Sequence, residues 1–319
     1  MTKAMKQSTA PKSDFQNGIL TEDRGIVSIR LGLDRKKSAS FSYKSDWLTV
    51  EAATRKKRTH DECQDTAICH IGKETAVFGL FDGFGSSGTL ISTKVADTIL
   101  KLLSNGVQVN DLIPMVEYDL KLLSRSPEYQ HGGSTAILVC LSHDQGIRPD
   151  AGFRAYRVSD ATFFLLGQTG VKALASMEDL SGSMGVLIRD MLVDDYLDQR
   201  RKVRNVLKCD RDDIAEITSD GGFIRKGRGG LLVTDGVTKN LRFNFDFSSG
   251  QVTDTNGAED LSAIIRGKNT PRAKVQSIIS EIRKRTAEPA AKERFYVGKV
   301  GTALYAHDDD MGLICFSVR

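Results

Sequence analysis

The sequence has few of the features that mark exported, membrane-bound or disulfide-stapled proteins. It holds five cysteines, an odd and scattered set without a Cys-x-x-Cys pair, so it predicts neither a zinc site nor a disulfide framework. No run of eighteen apolar residues occurs, which argues against a membrane-spanning helix. The first residues, MTKAMKQSTAPKSDFQNG, lack the apolar stretch of a signal peptide, and Thr2 stands where myristoylation needs glycine. These absences predict a cytoplasmic or nuclear protein with no membrane partner.

Neither positive nor negative residues are in large excess. The 319 residues contain 45 lysines and arginines against 41 aspartates and glutamates, a formal net charge of +4. A nucleic-acid-binding protein would show a strongly basic, clustered face, so no nucleic-acid partner is expected. With 40% hydrophobic and 27% charged residues, the composition is typical of a globular protein. It says nothing about the oligomeric state.

Hydrophobic patterning predicts an α+β protein with many strands. Apolar runs such as GIVSIRLGL, TAVFGLFD, STAILVCLS and GGLLVTDGV predict strands, while TLISTKVADTILKLLSNG and AKVQSIISEIRKR have the apolar spacing of helices. Strands and helices are grouped rather than strictly alternating, which favours an α+β sandwich over a doubly wound parallel sheet. Because no repeat or clear linker is visible, we expect a single domain at residues 21–319, preceded by a polar N-terminal extension at residues 1–20.

Two polar segments allow more than one interpretation. The basic, serine-rich stretch at residues 34–46, DRKKSASFSYKSD, is predicted to be a solvated loop, and the alternative is a phosphorylation site at Ser38 or Ser40. The sequence alone does not establish that modification. The stretch at residues 183–207 has mixed character and is predicted to be helical through its charged half.

Aspartates follow several of the predicted strands. Asp82 follows AVFGLF, Asp235 follows LLVT, and Asp308–Asp310 form a turn before the last strand. Each alone is more typical of a turn residue, because aspartate caps nearby backbone amides. Together, carboxylates converging at one end of a sandwich would repel each other unless a cation lay among them, and an all-oxygen cluster favours Mg²⁺ or Mn²⁺ over zinc. Two such ions about 3.5–4 Å apart can activate a water and hold a phosphate.

The order of these segments resembles the type 2C family of metal-dependent protein serine/threonine phosphatases. VFGLFDGFG resembles the family's strand that ends in Asp-Gly-His-Gly, GGSTAILVCL its Gly-Ser-Thr-Ala strand, and AYRVSDATFFLL its Val-Gly-Asp-Ser-Arg segment. LLVTDGVTKNL is similar to its Ser-Asp-Gly-Leu strand end, and DDMGLICFSV to its closing Asp-Asn-x-Thr-Val strand. The resemblance covers the chain from about residue 45 to its end. It implies two packed antiparallel β-sheets flanked by helices on both outer faces, and a phosphoprotein substrate.

The resemblance also implies a set of metal ligands. Asp82 would bridge two Mg²⁺ or Mn²⁺ ions, the backbone carbonyl of Gly83 would be a ligand, and Asp235 and Asp309 would complete the set. Asp309 is preferred over its two neighbours because it keeps Met311–Phe316 in register with the family's last strand.

Two further aspartates match the family outside this set. Asp65, which precedes a predicted strand, matches the aspartate of a Glu-Asp pair, with Gln64 in place of the glutamate. Asp160 matches the aspartate associated with a third, more weakly held metal ion.

The catalytic positions depart from the family. Phe84 stands where the family has its candidate general-acid histidine, and loss of such an acid typically costs on the order of 10²–10⁴ in rate. His60 occupies the place of the phosphate-holding arginine; Arg58 could substitute for that arginine if the loop bends, and a protonated His60 could contact phosphate or donate a proton. The stretch between Asp160 and Asp235 lacks the usual Arg-Ala-x-Gly-Asp run, so the target of the protein is not readable.

These matches and departures leave two hypotheses of function. The first is a metal-dependent phosphatase for phosphoserine and phosphothreonine in proteins, with Asp82 at the centre of the site and His60 and Arg58 as further catalytic candidates. The second is a catalytically weakened relative that acts as a binding or scaffold protein. Retention of the matching aspartates favours the enzyme, because a chain released from catalysis would tend to lose ligands. Apart from these two, a third hypothesis is a nucleic-acid-binding protein that uses Arg55–Arg58.

Overall fold

β-Strands outnumber helices in the described chain. The structure, a computed structural model, describes residues 12–32, 34–58, 60–123, 126–143, 150–158, 161–167, 170–175, 218–246, 251–254, 257–287, 294–297, 302–306 and 308–319. The strands in these ranges are β1 (Lys12–Gln16), β2 (Gly18–Asp23), β3 (Ile26–Leu31), β4 (Ala39–Lys44), β5 (Leu48–Arg55), β6 (Thr66–Ile71), β7 (Thr75–Phe81), β8 (Gly83–Gly85), β9 (Gly132–Ser134), β10 (Ala136–His143), β11 (Ala151–Val158), β12 (Thr162–Leu166), β13 (Val171–Ala175), β14 (Thr218–Ile224), β15 (Gly229–Val233), β16 (Phe243–Asp246), β17 (Gln251–Asp254), β18 (Arg294–Val297), β19 (Thr302–Ala306) and β20 (Met311–Val318). The α-helices there are α1 (Gly88–Ser104), α2 (Val109–Leu123), α3 (Asp235–Thr238), α4 (Ala258–Ile265) and α5 (Pro271–Arg285), and a 3₁₀ turn spans Pro127–Tyr129.

Two seven-stranded sheets form the centre of the fold. The first sheet has the strand order β1-β4-β5-β20-β15-β12-β13, and the second has the order β14-β11-β10-β7-β6-β3-β2. The strand pairs within both sheets are antiparallel. A four-stranded sheet, β17-β16-β19-β18, and a two-stranded sheet, β8-β9, complete the described strands. Because β5 pairs with β20 along its whole length, the first sheet joins the beginning of the chain to its end.

The inward faces of the two large sheets share one hydrophobic core. Phe78 of β7 and Phe316 of β20 belong to opposite sheets, and their ring centroids lie 5.1 Å apart. Phe163 of β12 packs against Phe316 at 6.2 Å and against Phe153 of the opposite sheet at 5.7 Å. Aromatic rings bury large apolar areas and so dominate the energetics of such cores. These contacts set how one sheet lies on the other.

Helices cover the outer face of each sheet. Helices α1 and α2 bury their apolar faces against β6, β7 and β10 of the second sheet, and α4 and α5 do the same against β12, β15 and β20 of the first. In α5 the buried residues Val275, Ile278 and Ile282 follow the spacing of one helix face. The predicted fold class, two packed antiparallel β-sheets flanked by helices, is confirmed.

The serine-rich segment differs from its prediction. Residues Ala39–Lys44, expected in a solvated loop, form β4 between β1 and β5. Ala39, Phe41 and Tyr43 are buried and alternate with more exposed residues, which is the pattern of a half-buried strand. The loop prediction was wrong because the charged and serine residues obscured this alternation. Phosphorylation at Ser38 or Ser40 stays a prediction.

Paired strands occur within residues 1–20, the predicted N-terminal extension. Strand β1 pairs with β4 at the edge of the first sheet, and β2 pairs with β3 at the edge of the second. The helix predicted within residues 183–207 lies outside the described residues. In the part of the chain that is described, no helix combines the length and the apolar character needed to cross a bilayer.

We expect Phe163→Ala to lower the free energy of unfolding by about 3–5 kcal/mol, because the substitution leaves a cavity between the two sheets. Urea denaturation followed by circular dichroism measures this change. Phe223→Ala is the matched control: its side chain is 63% exposed, and we expect a change within about 0.5 kcal/mol. Equal losses of stability in the two variants would contradict the assignment of Phe163 to the core.

Candidate active site

The strand register brings the predicted aspartates to one edge of the sandwich. In the second sheet Phe81 pairs with Thr66, so Asp82 and Asp65 lie one residue beyond the same pair. In the first sheet the last residue of β15, Val233, pairs with Leu313 near the start of β20. Thr234 and Asp235 therefore leave the sheet at the edge where Asp308–Asp310 enter it. Antiparallel pairing gathers these carboxylates within each sheet, and the packing of the two sheets brings the two groups together.

Asp65 joins the two sheets at this edge. Its Oδ2 accepts a hydrogen bond of 2.7 Å from the Thr234 hydroxyl, which in turn accepts one of 2.8 Å from the amide of Gly312. Asp65 is 1% exposed, and its Oδ1 has no hydrogen-bond partner. Burial raises the pKa of Asp65 well above its usual range, and the nearby carboxylate of Asp310 adds to the rise. A buried carboxylate oxygen without a donor is the kind of atom to which a cation binds.

Asp310 fastens the loop that precedes β6. Its Oδ1 accepts from the amide of Lys57 at 2.6 Å, its Oδ2 accepts from the amide of Gln64 at 2.8 Å, and Nδ1 of His60 lies 3.5 Å from Oδ2. Burial raises the pKa of the Asp310 carboxyl, while these amide hydrogen bonds act in the opposite direction. Asp310 thus accepts hydrogen bonds from two backbone amides of that loop.

Asp235 and Asp309 share a lysine. Nζ of Lys239 forms an ion pair with Asp235 and lies 3.3 Å from Oδ2 of Asp309. The short helix α3 begins at Asp235, and the amide of Lys239 donates to the Asp235 carbonyl at 2.8 Å, so the turn itself places the ammonium over the two carboxylates. The Lys239 side chain is 19% exposed. Sequence reasoning missed this residue, although its i,i+4 spacing from Asp235 on a helical turn was the available signal.

Gly83 and Gly236 allow backbone segments to meet at this edge. A Cβ on Gly83 would lie 2.3 Å from the carbonyl oxygen of Gly88, at the start of α1. A Cβ on Gly236 would lie 1.8 Å from the carbonyl oxygen of Asp310. Both positions therefore exclude every residue with a side chain. The Asp-Gly pairs in the sequence reflect this close packing as well as any ligand role.

The turn after β7 is held by a backbone ladder. The Asp82 carbonyl accepts from the amide of Thr135 at 2.9 Å, and Phe84, which is half-buried, pairs with Gly133 in the β8-β9 sheet. Gln64 ties the same turn to its neighbour, because its Nε2 donates to the Gly85 carbonyl at 2.9 Å. Gln64 thus acts as a bridge between two loops, a role that needs an amide donor and that a glutamate would not supply.

Arg35 is a positioning residue that sequence reasoning did not select. Its guanidinium is buried and donates to the Asp65 carbonyl at 2.8 Å and to the Thr66 hydroxyl at 2.7 Å. Burial lowers the pKa of Arg35 from its ordinary value. These hydrogen bonds hold the backbone at Asp65 and Thr66 in position. No local signal separated it from the other basic residues of the serine-rich segment.

The three remaining candidate residues, Arg58, His60 and Asp160, differ in where the structure places them. Nε of Arg58 lies 3.6 Å from Asp308, and its guanidinium donates to the Thr286 hydroxyl at 2.9 Å and to the Thr286 carbonyl. Arg58 is therefore at the edge, but its guanidinium is engaged by the end of α5. The His60 side chain is 38% exposed beside Asp310. Asp160 lies outside the described residues.

The carboxylates do not form a finished metal cage in the described part of the chain. Among the described residues, no group of three histidine, cysteine, aspartate or glutamate side chains has the arrangement needed to hold a metal ion. The donors nevertheless fit a hard divalent ion, because they are all oxygens and because the buried Oδ1 of Asp65 has no partner. Lys239 is the cation that already lies between Asp235 and Asp309.

Comparison with solved structures identifies the fold. A serine/threonine phosphatase from S. agalactiae is similar with a TM-score of 0.61 and 15% sequence identity, over 85% of this chain and 100% of that one. The serine/threonine phosphatase PstP/Ppp of Mycobacterium tuberculosis has a TM-score of 0.55 at 12% identity, over 86% of this chain and 99% of its own. RsbX in complex with magnesium has a TM-score of 0.53 at 12% identity, over 87% and 98% of the two chains.

The same comparisons limit what the likeness shows. No family model and no curated protein matches the sequence. The resemblance to the type 2C phosphatases is confirmed at the level of the fold, at an identity where the fold alone is shared.

We expect Asp65→Asn to stabilise the metal-free protein above neutral pH, by about 1–3 kcal/mol at pH 8. The folded-state pKa of Asp65 is raised, so the folded state loses stability as the pH rises from the unfolded value of about 4 towards the folded one. The variant lacks this ionisation and should show a smaller decline. Chemical denaturation in EDTA from pH 5 to pH 8 measures both curves, with the exposed Asp46→Asn as control. A variant less stable than the original chain at every pH would contradict the prediction.

Proposed function

We propose, on the premise that this chain has the fold of the type 2C phosphatases, that it is a metal-dependent phosphatase acting on phosphoserine and phosphothreonine in proteins. The observation that carries the proposal is the meeting of Asp65, Asp235 and Asp309 at the edge where Asp82 leaves β7. Clustered, partly buried carboxylates lower the stability of a fold unless a cation compensates their charge. Their gathering at one edge therefore supports a cation-binding function there.

The donors proposed to hold two Mg²⁺ or Mn²⁺ ions are Asp82, the Gly83 carbonyl, Asp235 and Asp309. Asp65, whose Oδ1 has no hydrogen-bond partner, lies beyond the same strand pair as Asp82, and Asp160 is the proposed ligand of a third ion. The magnesium complex of RsbX, which has the same fold, supports a divalent ion. Bound ions of this kind supply Lewis acidity and an activated water for attack on phosphorus.

The protein's own residues would position the phosphate and move protons. Phe84 has no exchangeable proton, so it cannot protonate the departing alkoxide. His60, with Nδ1 held 3.5 Å from Asp310, is the proposed proton donor or phosphate contact. Arg58 would reach a phosphate only after leaving Asp308 and Thr286, which makes its contribution conditional on movement of the loop.

We expect Mn²⁺- or Mg²⁺-dependent hydrolysis of p-nitrophenyl phosphate, whose good leaving group needs little acid assistance, and weak hydrolysis of a phosphothreonine peptide. Phe84→His should raise kcat/KM for the peptide more than for p-nitrophenyl phosphate, by up to about 10²-fold, because it restores a proton donor. Steady-state assays with both substrates measure the difference. Asp82→Asn is the inactive control. If neither substrate turns over faster than with that control, the enzyme proposal fails.

Lys239 favours the second candidate function, a catalytically weakened relative that binds a partner or a phosphopeptide. An ammonium between Asp235 and Asp309 supplies the positive charge that a divalent ion would otherwise bring. A metal ion that binds between Asp235 and Asp309 must displace Lys239, and the free energy of that displacement weakens metal binding. The same contact satisfies the carboxylates without a metal, so the fold can persist where catalysis is slow.

We expect Lys239→Met to bind Mn²⁺ at least about tenfold more tightly, because a competing positive charge next to the ligands is removed. Isothermal titration calorimetry measures the affinity and the number of ions. In EDTA the variant should also be less stable than the original chain, since Asp235 and Asp309 then face each other without a counter-charge, and Mn²⁺ should restore that stability. Lys101→Met, on the surface of α1, is the control. Unchanged affinity and unchanged ion number would contradict the competition.

A further inference from the structure

A second concave site lies at the opposite edge of the first sheet from the carboxylates. A cavity of about 920 Å³ is lined by Gly229, where β15 begins, and by Phe316–Val318, where β20 ends. Asp235 and Asp309 lie beyond the other ends of these two strands. The eight residues of β20 span about 25 Å at about 3.3 Å per residue. The cavity is therefore separate from the candidate active site.

The walls of this cavity are strongly basic. Four cations come from the ends of strands and their loops: Lys44, Lys226, Arg228 and Arg319. Three more come from the connection between α4 and α5 and from the first turn of α5: Arg266, Lys268 and Lys274. No aspartate or glutamate is among the described residues that line the cavity.

The lining of the cavity is far more basic than the composition of the whole chain. With 45 basic and 41 acidic residues overall, an average surface would mix the two signs. Like charges that share one concavity repel one another and raise the local positive potential, so the arrangement is stable only at a cost that a bound anion removes. The first turn of α5, which carries no acidic residue, adds a helix N-terminus of the same sign.

The floor of the cavity is apolar. Leu166, Val171 and Ile265 are the apolar side chains that form this floor, and Val171 is partly exposed. A volume of about 920 Å³ lies within the usual range of small-molecule sites, about 300–1,000 Å³. A compact ligand with an apolar body and several negative charges would match both the floor and the walls.

We propose that this cavity binds a small organic polyphosphate, with phosphate groups held by the cations of the walls and an apolar ring system on the floor. The guanidinium groups of Arg228 and Arg266 suit bidentate phosphate contacts, and the lysines supply point charges. The proposal stands apart from the phosphatase function, because none of these residues belongs to the carboxylate edge.

The test is calorimetric titration of the full chain at low salt with three probes: ATP, pyrophosphate and adenosine. We expect ATP to bind, to weaken as salt is added, and to bind at least about tenfold more tightly than either fragment, because only ATP uses both the walls and the floor. Asp235→Asn, which alters the candidate active site, should leave this binding unchanged.

Charge reversal locates the site. We expect Arg266→Glu with Lys268→Glu to weaken ATP binding by at least about tenfold. Lys101→Glu with Lys121→Glu, exposed on α1 and α2, changes the net charge equally and should have little effect. If the reversal disturbs folding by circular dichroism, Arg266→Gln with Lys268→Gln replaces it.

Four results would overturn the proposal. The first is no binding of ATP at millimolar concentration, and the second is an equal loss in the control pair. The third is pyrophosphate binding as tightly as ATP, which would leave the apolar floor without a role. The fourth is a phosphothreonine peptide that binds this cavity more tightly than ATP, which would make the site a peptide-docking surface.

Discussion

Burial of the Asp65 carboxylate constrains the geometry of the whole acidic edge. One of its oxygens is held by Thr234, which belongs to the first sheet, while Asp65 itself precedes a strand of the second. A carboxyl group removed from water is tolerated where donors compensate it or where a raised pKa keeps it protonated. Arg35 holds its backbone from a third segment. The two sheets must therefore be in their correct relative position before this residue can be accommodated.

The negative charges of the neighbouring carboxylates are compensated by different partners. Asp310 turns to backbone amides of the preceding loop, Asp308 pairs with Arg58, and Asp235 and Asp309 share the ammonium of Lys239. Three consecutive aspartates thus have three separate roles. The edge holds internal counter-charges at two of these places, so a metal ion proposed there would compete with contacts that the protein already makes.

The two ends of the first sheet carry opposite charge. Carboxylates gather at one edge, and the basic cavity opens at the other. The net charge of +4 conceals this separation because it sums the charges of the whole chain. The proposed cation site and the proposed anion site would thus lie at opposite ends of one sandwich, joined by the strands of the first sheet.

The sequence by itself determined the fold class, because alternating and helical apolar periods are local properties and most strands could be read from them. It also predicted that Asp65, Asp82, Asp235 and the Asp308–Asp310 turn gather at one edge, since aspartates recur at strand ends, while the choice of Asp309 rested on the resemblance to the type 2C phosphatases. It could not show that Ala39–Lys44 is a strand, where polar residues masked the period, or that Arg35 supports Asp65. Only the tertiary structure decided which of Asp308, Asp309 and Asp310 lies beside Asp235, that Lys239 lies between two carboxylates, and that seven distant cations line one cavity. Those facts depend on contacts between residues far apart in the chain, and no local pattern encodes the side-chain direction that brings them together.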